Sequence, residues 1–111
     1  MLQFINKVEI QGVVGKIQRS VYGNKAAVAM SVCTQTAYNN ANGIPVVDTL
    51  WIQVAYWTDA NDNHFPYRGD WINATGRLRS RKYMTPDKEE HTTYDLLAET
   101  VEIIQEDGKD E

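Results

Sequence analysis

Residues 76–83 combine arginines with an aromatic ring at a spacing suited to nucleic acid. Successive side chains of a β-strand point to opposite faces of the sheet. A strand here would have Gly76, Leu78 and Ser80 packed inward, and on its other face the row Arg77, Arg79, Arg81 and Tyr83. Guanidinium groups bind phosphates, and nucleobases stack on aromatic rings. The pattern therefore predicts a surface for single-stranded nucleic acid.

A second predicted strand, residues 48–57, carries two tryptophans of the same parity. Its core face would be formed by Ile52, Val54 and Tyr56. Trp51 and Trp57 would then lie on the face away from the core, where paired tryptophans usually mark a contact surface. Burial at a barrel end or in an oligomer interface is the alternative. An edge strand protected by charge would explain the arginines, but neither Tyr83 nor the tryptophans, so the two strands together favour binding.

The net charge of −4 conceals an uneven distribution of charged residues. Residues 1–86 hold 9 of the 11 Lys and Arg and 5 of the 15 Asp and Glu. Residues 87–111 hold 2 basic and 10 acidic residues. A moderately basic body therefore precedes an acidic end, and phosphate attraction depends on the local field rather than on the total charge.

The composition indicates one soluble domain without catalytic chemistry. A chain of 111 residues with 42% hydrophobic residues can build a single core, and no apolar run is long enough to cross a membrane. The absence of a signal-peptide pattern and the single cysteine, Cys33, predict a reducing, cytoplasmic setting. His64 and His91 are too isolated for a metal site, and no nucleophile has a triad motif around it. We therefore expect a non-enzymatic protein with no metal and no cofactor.

The chain alternates between β-rich segments and turn signals, with almost no helical periodicity. Five short strands are predicted, at residues 4–17, 26–34, 48–57, 70–83 and 91–104. A long polar loop is expected over 35–47, and a polar connection without a substantial helix over 58–70. Five strands with bend-forming glycines in a small chain suit an all-β, five-stranded Greek-key barrel, the OB-fold, with long loops. This domain would span residues 1–104, and residues 105–111 would form a short acidic tail that is disordered.

In these segments the chain resembles the bacterial single-stranded DNA-binding protein family, over about residues 5–104. The similarity rests on five segments in order: Asn6-Lys7-Val8 with Gly12 and Gly15, Gly23 to Val32, Trp51 to Trp57, Gly76 to Tyr83, and Thr92-Thr93-Tyr94. The resemblance implies an OB-fold that stacks DNA bases on four aromatic positions, which here correspond to Tyr38, Trp51, Trp57 and Tyr83. It also places Arg79, Arg81 and Lys82 on the basic strand of the family and Lys7 at its early lysine.

The resemblance further implies a homotetramer or homodimer that binds single-stranded DNA during replication, recombination or repair. Gln53 departs from the family, because many members have a basic residue there. The C-terminus lacks the apolar tip through which the family recruits other proteins, so either the chain is truncated or tail-mediated recruitment is absent. Two alternatives stay open: an OB-fold interaction protein of the replication-restart type, and an accessory OB subunit of a nucleic-acid enzyme. Tyr22 could add to the DNA path, but anchoring of its loop is favoured. Trp71 shares the parity of the arginine row and could extend the stacking surface, with packing at a barrel end as an equal alternative.

Overall fold

The computed structural model describes residues 1–104 and shows five long β-strands in this part of the chain. They are β1 (Val8–Tyr22), β2 (Lys25–Asn39), β3 (Pro45–Asp59), β4 (Trp71–Met84) and β5 (Glu90–Ile104). The strands close into a barrel in the order β1-β2-β3-β5-β4. The predicted all-β OB-fold is thus confirmed, and residues 1–104 contain no helix. The predicted tail, residues 105–111, lies outside the described residues.

The core of the barrel consists of the side chains that alternate inward along each strand. These fully buried residues are Val14, Val28, Met30, Val32, Val54, Ile72, Ala74 and Leu96. The predicted core face of β3 is therefore confirmed, with Val54 fully buried and Ile52 and Tyr56 packed partly buried against the core. Because the side-chain period of a strand is two, these inward residues oblige their neighbours to face outward.

A short parallel contact closes the barrel. β3 and β5 pair only through Val54 with Leu96 and Ala55 with Leu97, whereas every other neighbouring pair of strands is antiparallel. Beyond this contact, the β2–β3 and β4–β5 hairpins extend from the same end of the barrel as two arms. The arms separate because no further hydrogen-bonded pairs join β3 to β5.

The length of the β2–β3 arm shows that the prediction of short strands and of a long loop over residues 35–47 was wrong. Its ladder continues without interruption to Asn39 opposite Pro45, so only residues 40–44 form the connection. Tyr38 consequently lies in β2, opposite Val46, and not in a loop. Both faces of the arm are exposed, so its sequence shows no alternation of apolar and polar residues and resembles a loop.

The expected strand bounds and the inward position of Leu78 also need correction. β1 begins at Val8, later than predicted, and continues to Tyr22. In β4, Gly76 is buried as expected, but Leu78 is 43% exposed, and Ser80, also expected to pack inward, is exposed. The pairing of β4 with β1 ends at Gly76, so β1 no longer covers the inward face of β4 beyond this residue. The side chain of Asn6 instead accepts a hydrogen bond from the Leu78 amide and donates one to its carbonyl.

The connection over residues 60–70 contains turns but no helix, as predicted. Arg19 of β1 holds it against the barrel. One Nη of Arg19 donates a hydrogen bond to the Ala60 carbonyl, and its guanidinium carbon lies 5.0 Å from the centre of the Phe65 ring. This cation–π contact and hydrogen bond keep the connection at the barrel wall. No helix within residues 1–104 is long and apolar enough to cross a membrane.

Gly12 marks a point where β1 and β2 approach too closely for a side chain. A Cβ atom at this position would lie 2.0 Å from the carbonyl oxygen of Cys33, a backbone atom that cannot swing aside. We expect Gly12→Ala to lower the free energy of unfolding by about 1–3 kcal/mol, measured by urea denaturation. The exposed Ser80→Ala should change it by less than about 0.5 kcal/mol. Equal stability of the two variants would contradict this packing.

Candidate nucleic-acid interface

The outward side chains of four consecutive strands form one continuous surface, which we call the outer face. Its central row crosses the four strands through residues that pair with one another: Ala29 of β2, Ala55 of β3, Leu97 of β5 and Arg77 of β4. Since neighbouring strands lie about 4.8 Å apart, this row spans roughly 15 Å along the barrel surface. Ala29 and Ala55 in this row are small and form a shallow floor. The larger side chains at the two margins of the floor project further outward.

The two tryptophans of β3 stand at opposite ends of this floor, as their parity predicted. Trp51 is 60% exposed and Trp57 is 59% exposed, so neither indole is part of the core. Six residues of strand separate them, which corresponds to about 20 Å. Trp51 lies on the β2–β3 arm opposite Cys33, whereas Trp57 lies opposite Ala27 near the β1–β2 turn. Aromatic surface is therefore available at both ends of the outer face.

The arginine strand forms the opposite margin, across β5 from the tryptophans. The outward neighbours of β4 and β5 are Arg77 with Leu97, Arg79 with Asp95, Arg81 with Thr93 and Tyr83 with His91. Tyr83 is half exposed, and its ring stacks on the His91 ring with centroids 5.4 Å apart. One face of the Tyr83 ring is thus occupied by His91. Two grooves of about 410 and 460 Å³ lie between the margins, and Arg81 lines both of them.

Asp95 occupies the middle of this cationic margin and was missed by the sequence analysis. Asp95 is only 7% exposed. Its two carboxylate oxygens accept hydrogen bonds from Nε and Nη2 of Arg79, at 3.0 and 2.8 Å. Nη1 of Arg81 lies 3.7 Å from the same carboxylate. Its outward parity on β5, opposite Arg79, could have signalled the pair once the β4–β5 register was known.

These contacts set the protonation behaviour of Asp95. The hydrogen bond from Arg79 is the largest influence and lowers the pKa of Asp95 below its ordinary value of 3.8, while partial burial opposes this shift. The charges of Arg79 and Arg81 lower the pKa further. Asp95 is therefore ionised at neutral pH, and Arg79 is held in a fixed, bidentate geometry. Arg77 and Arg81 are more exposed than Arg79.

Two predicted site residues, Tyr38 and Lys7, lie apart from this group, and Lys82 lies at its edge. Tyr38 is 47% exposed, but uninterrupted alternation places it on the face of the β2–β3 arm opposite Trp51. Lys82 alternates to the other face of the β4–β5 arm from Arg81, but it is exposed and also lines the 460 Å³ groove beside Arg81 and Tyr83. Lys7 is exposed and directly precedes Val8, which pairs with Gly76. Contact between these three and the same nucleic-acid strand stays a prediction.

Four further residues near the surface were not assigned by the sequence analysis. Tyr22, at the end of β1, packs against Trp57 with ring centroids 5.9 Å apart. Lys16 and Arg68 line a separate groove of about 510 Å³ beyond β2, where a bulge in β1 shifts the register between Val14 and Ile17. Trp71 is half exposed but lies around the barrel, with Val13 and Cys33 between it and Trp51. It shares the outward parity of Arg77 on β4, but it lies at the opposite end of that strand from Tyr83 and lines neither groove between the margins.

Within residues 1–104, no group of three or more His, Cys, Asp or Glu side chains is arranged to hold a metal ion. The two grooves of the outer face are lined by cations, aromatic rings and neutral side chains, and by the carboxylate of Asp95, which is already paired. Such a face can bind an anionic polymer that carries planar rings. A five-stranded OB barrel with this outer face belongs to the class of single-strand nucleic-acid-binding domains.

Residues 5–104 match the family described as "Single-strand binding protein family", and the chain belongs to this family. It is 29% identical over 104 residues to the single-stranded DNA-binding proteins of Neisseria meningitidis serogroups A and B. That alignment covers 90% of this chain and 60% of each relative. The chain thus spans somewhat less than two thirds of the length of these relatives.

Two solved structures share the fold at low sequence identity. A structure described as Plasmodium falciparum SSB in complex with ssDNA superposes with a TM-score of 0.82 at 15% identity, covering 95% of this chain and 99% of that one. A deletion mutant of the single-stranded DNA-binding protein from Thermus aquaticus gives a TM-score of 0.76 at 15% identity, covering 94% and 52%. The expected OB-fold and family resemblance are confirmed.

The Arg79–Asp95 pair makes a prediction for stability and its pH dependence. Asp95→Asn removes the charge that Arg79 faces, so the free energy of unfolding at pH 7 should fall by about 1–3 kcal/mol. Because folding lowers the pKa of Asp95, its contribution is complete above the ordinary value of 3.8 and is lost as the pH falls through the lower folded value. Urea denaturation should therefore show the gap between variant and wild type narrowing below about pH 4.

Asp59→Asn is the matched control. Asp59 forms an ion pair with Lys25 at 3.1 Å, and both side chains of this pair are exposed to solvent. Its loss should cost less than about 1 kcal/mol. Equal effects of the two substitutions would show that burial does not strengthen the Asp95 pair.

Proposed function

We propose that the chain binds single-stranded DNA with little sequence preference and protects it during replication, recombination or repair. One observation carries the proposal: exposed tryptophans on β3 and the Arg77–Tyr83 row on β4 share one outer face, separated only by β5. The relatives named above are single-stranded DNA-binding proteins, which supports this assignment. Their roles are proposed for this chain, since it spans 60% of their length.

The interface favours a single strand over a duplex on physical grounds. Stacking on an indole requires a base whose face is free, and the bases of a duplex already stack on one another. Every base has a π-face, so stacking contributes about 1–3 kcal/mol per base with little regard to sequence. The cations contribute through the phosphates, which carry no sequence information. Binding of this kind would oppose duplex formation.

We propose a non-enzymatic role in the cytoplasm, as a homodimer or homotetramer with one OB domain per subunit over residues 1–104. The working surface consists of rings and cations for binding, and the acidic side chain among them is engaged by Arg79. Oligomers would place several outer faces on one strand of DNA. The gain in affinity would come from effective concentration and not from new kinds of contact.

Titration with a short oligothymidine tests the proposal directly. Stacking should quench tryptophan fluorescence, because Trp51 and Trp57 are both exposed on the outer face. About four neutralised phosphates predict a slope of log K against log salt of roughly −3. Measurements at two or more salt concentrations give this slope. Absence of quenching at low salt would contradict DNA binding and would favour a protein-docking role for the same face.

Single substitutions locate the binding surface. Trp51→Ala and Trp57→Ala should each weaken oligothymidine binding by about 1–3 kcal/mol, because each removes one stacking platform. Fluorescence anisotropy of a labelled oligonucleotide measures the affinity without relying on the tryptophans. Both variants should unfold at wild-type urea concentrations, since both indoles are exposed. Trp71→Ala removes a similarly exposed indole that lies at the far end of β4 from Tyr83 and lines neither groove between the margins, so this variant should bind normally; equal losses in all three variants would refute this site.

A further inference from the structure

The β1–β2 turn carries an aromatic ring beside Trp57. Tyr22 is the last residue of β1 and pairs with Lys25 across a tight turn in which Gly23 has a φ of 64°. The Tyr22 ring packs against the Trp57 ring with centroids 5.9 Å apart and planes tilted by 50°. Both side chains remain about 60% exposed, at 61% for Tyr22 and 59% for Trp57. We call this pair the aromatic corner.

The aromatic corner closes one end of the 410 Å³ groove on the outer face. The floor of this groove is formed by small side chains, namely Ala27, Ala29 and Ala55. Gln18 and Ser20 line it on the β1 side, and Arg79 and Arg81 line it on the β4 side. A strand whose phosphates lie over the arginines can therefore continue along the alanine floor until a base meets the rings.

The corner offers stacking surface but no uncompensated charge. Lys25, the residue opposite Tyr22 across the turn, has its Nζ 3.1 Å from a carboxylate oxygen of Asp59. The two ring planes are tilted by 50° rather than stacked, and both residues stay about 60% exposed, so part of each ring is accessible to a base. Gln18 and Ser20 can exchange hydrogen bonds with the edge of a base held there, since both side chains donate and accept.

We propose that the aromatic corner is a base-binding subsite in which Tyr22 stacks one nucleobase in addition to the base on Trp57. This inference rests on the proposed binding of single-stranded DNA and extends it to a position beyond the tryptophans. Because the subsite acts through stacking, it adds affinity without adding to the number of neutralised phosphates.

Tyr22→Leu in the full chain tests the subsite. Affinity for oligothymidine, measured by anisotropy, should fall roughly tenfold, as expected for the loss of one stacked base, and the salt slope should stay at its wild-type value. Tyr22→Phe keeps the ring and should bind within about twofold of wild type. Tyr67→Leu, which removes a tyrosine of similar exposure on the 60–70 connection, should bind normally. Urea denaturation of all three confirms that they are folded.

A double substitution distinguishes stacking from mere support of Trp57. If Tyr22 binds its own base, Tyr22→Leu should weaken binding by a comparable factor in the Trp57→Ala background. If Tyr22 only orients the indole, the substitution should have no effect in that background, and this outcome overturns the proposal. Wild-type affinity of the folded Tyr22→Leu variant also overturns the subsite. The proposed function would still stand in that case if oligothymidine quenches the fluorescence of the wild-type protein and Trp51→Ala binds weakly.

Discussion

The parallel contact between β3 and β5 is the constraint on which the candidate site depends. It consists of two residue pairs, yet Val54 and Leu96 within it are completely buried, so the contact belongs to the barrel core. Parallel neighbours must place their outward side chains on the same surface. The tryptophans of β3 and the arginines paired to β5 are twenty or more positions apart in sequence, and this short contact brings them onto one face.

The same contact explains why the molecule has both a rigid body and two arms. Where β3 and β5 pair, each strand has neighbours on both sides and its inward residues are buried. Past that point the hairpins retain only their internal ladders, and most of their residues are exposed, with the paired Asp95 as an exception. Fewer buried apolar contacts permit larger motions, so the arms can adjust to a flexible ligand while the alanine floor stays fixed.

Sequence periodicity predicted the orientation of side chains correctly where a strand packs against the core. It failed where the strands extend beyond the core. The parity of Trp51 and Trp57 was read correctly because Ile52 and Val54 on the same strand must face inward. Tyr38 was placed in a loop because a strand exposed on both faces shows no alternation. Asp95 was missed because its partner Arg79 lies sixteen residues away, and only the β4–β5 register sets the two side by side.

Asp95 raises the question of why a cationic surface should contain a buried carboxylate. Arg77, Arg79 and Arg81 alternate along one strand, so neighbouring guanidinium groups project from positions about 7 Å apart. A carboxylate beneath the middle one offsets their mutual repulsion and fixes Arg79 through its Nε and Nη2 groups. The remaining N–H groups of Arg79 can still donate to a phosphate, and a side chain that is already ordered loses less entropy on binding. Asp95 thus reduces the net charge of the surface but increases the order of its central arginine. An acidic residue in this position is therefore compatible with phosphate binding, just as a net charge of −4 is compatible with a basic face.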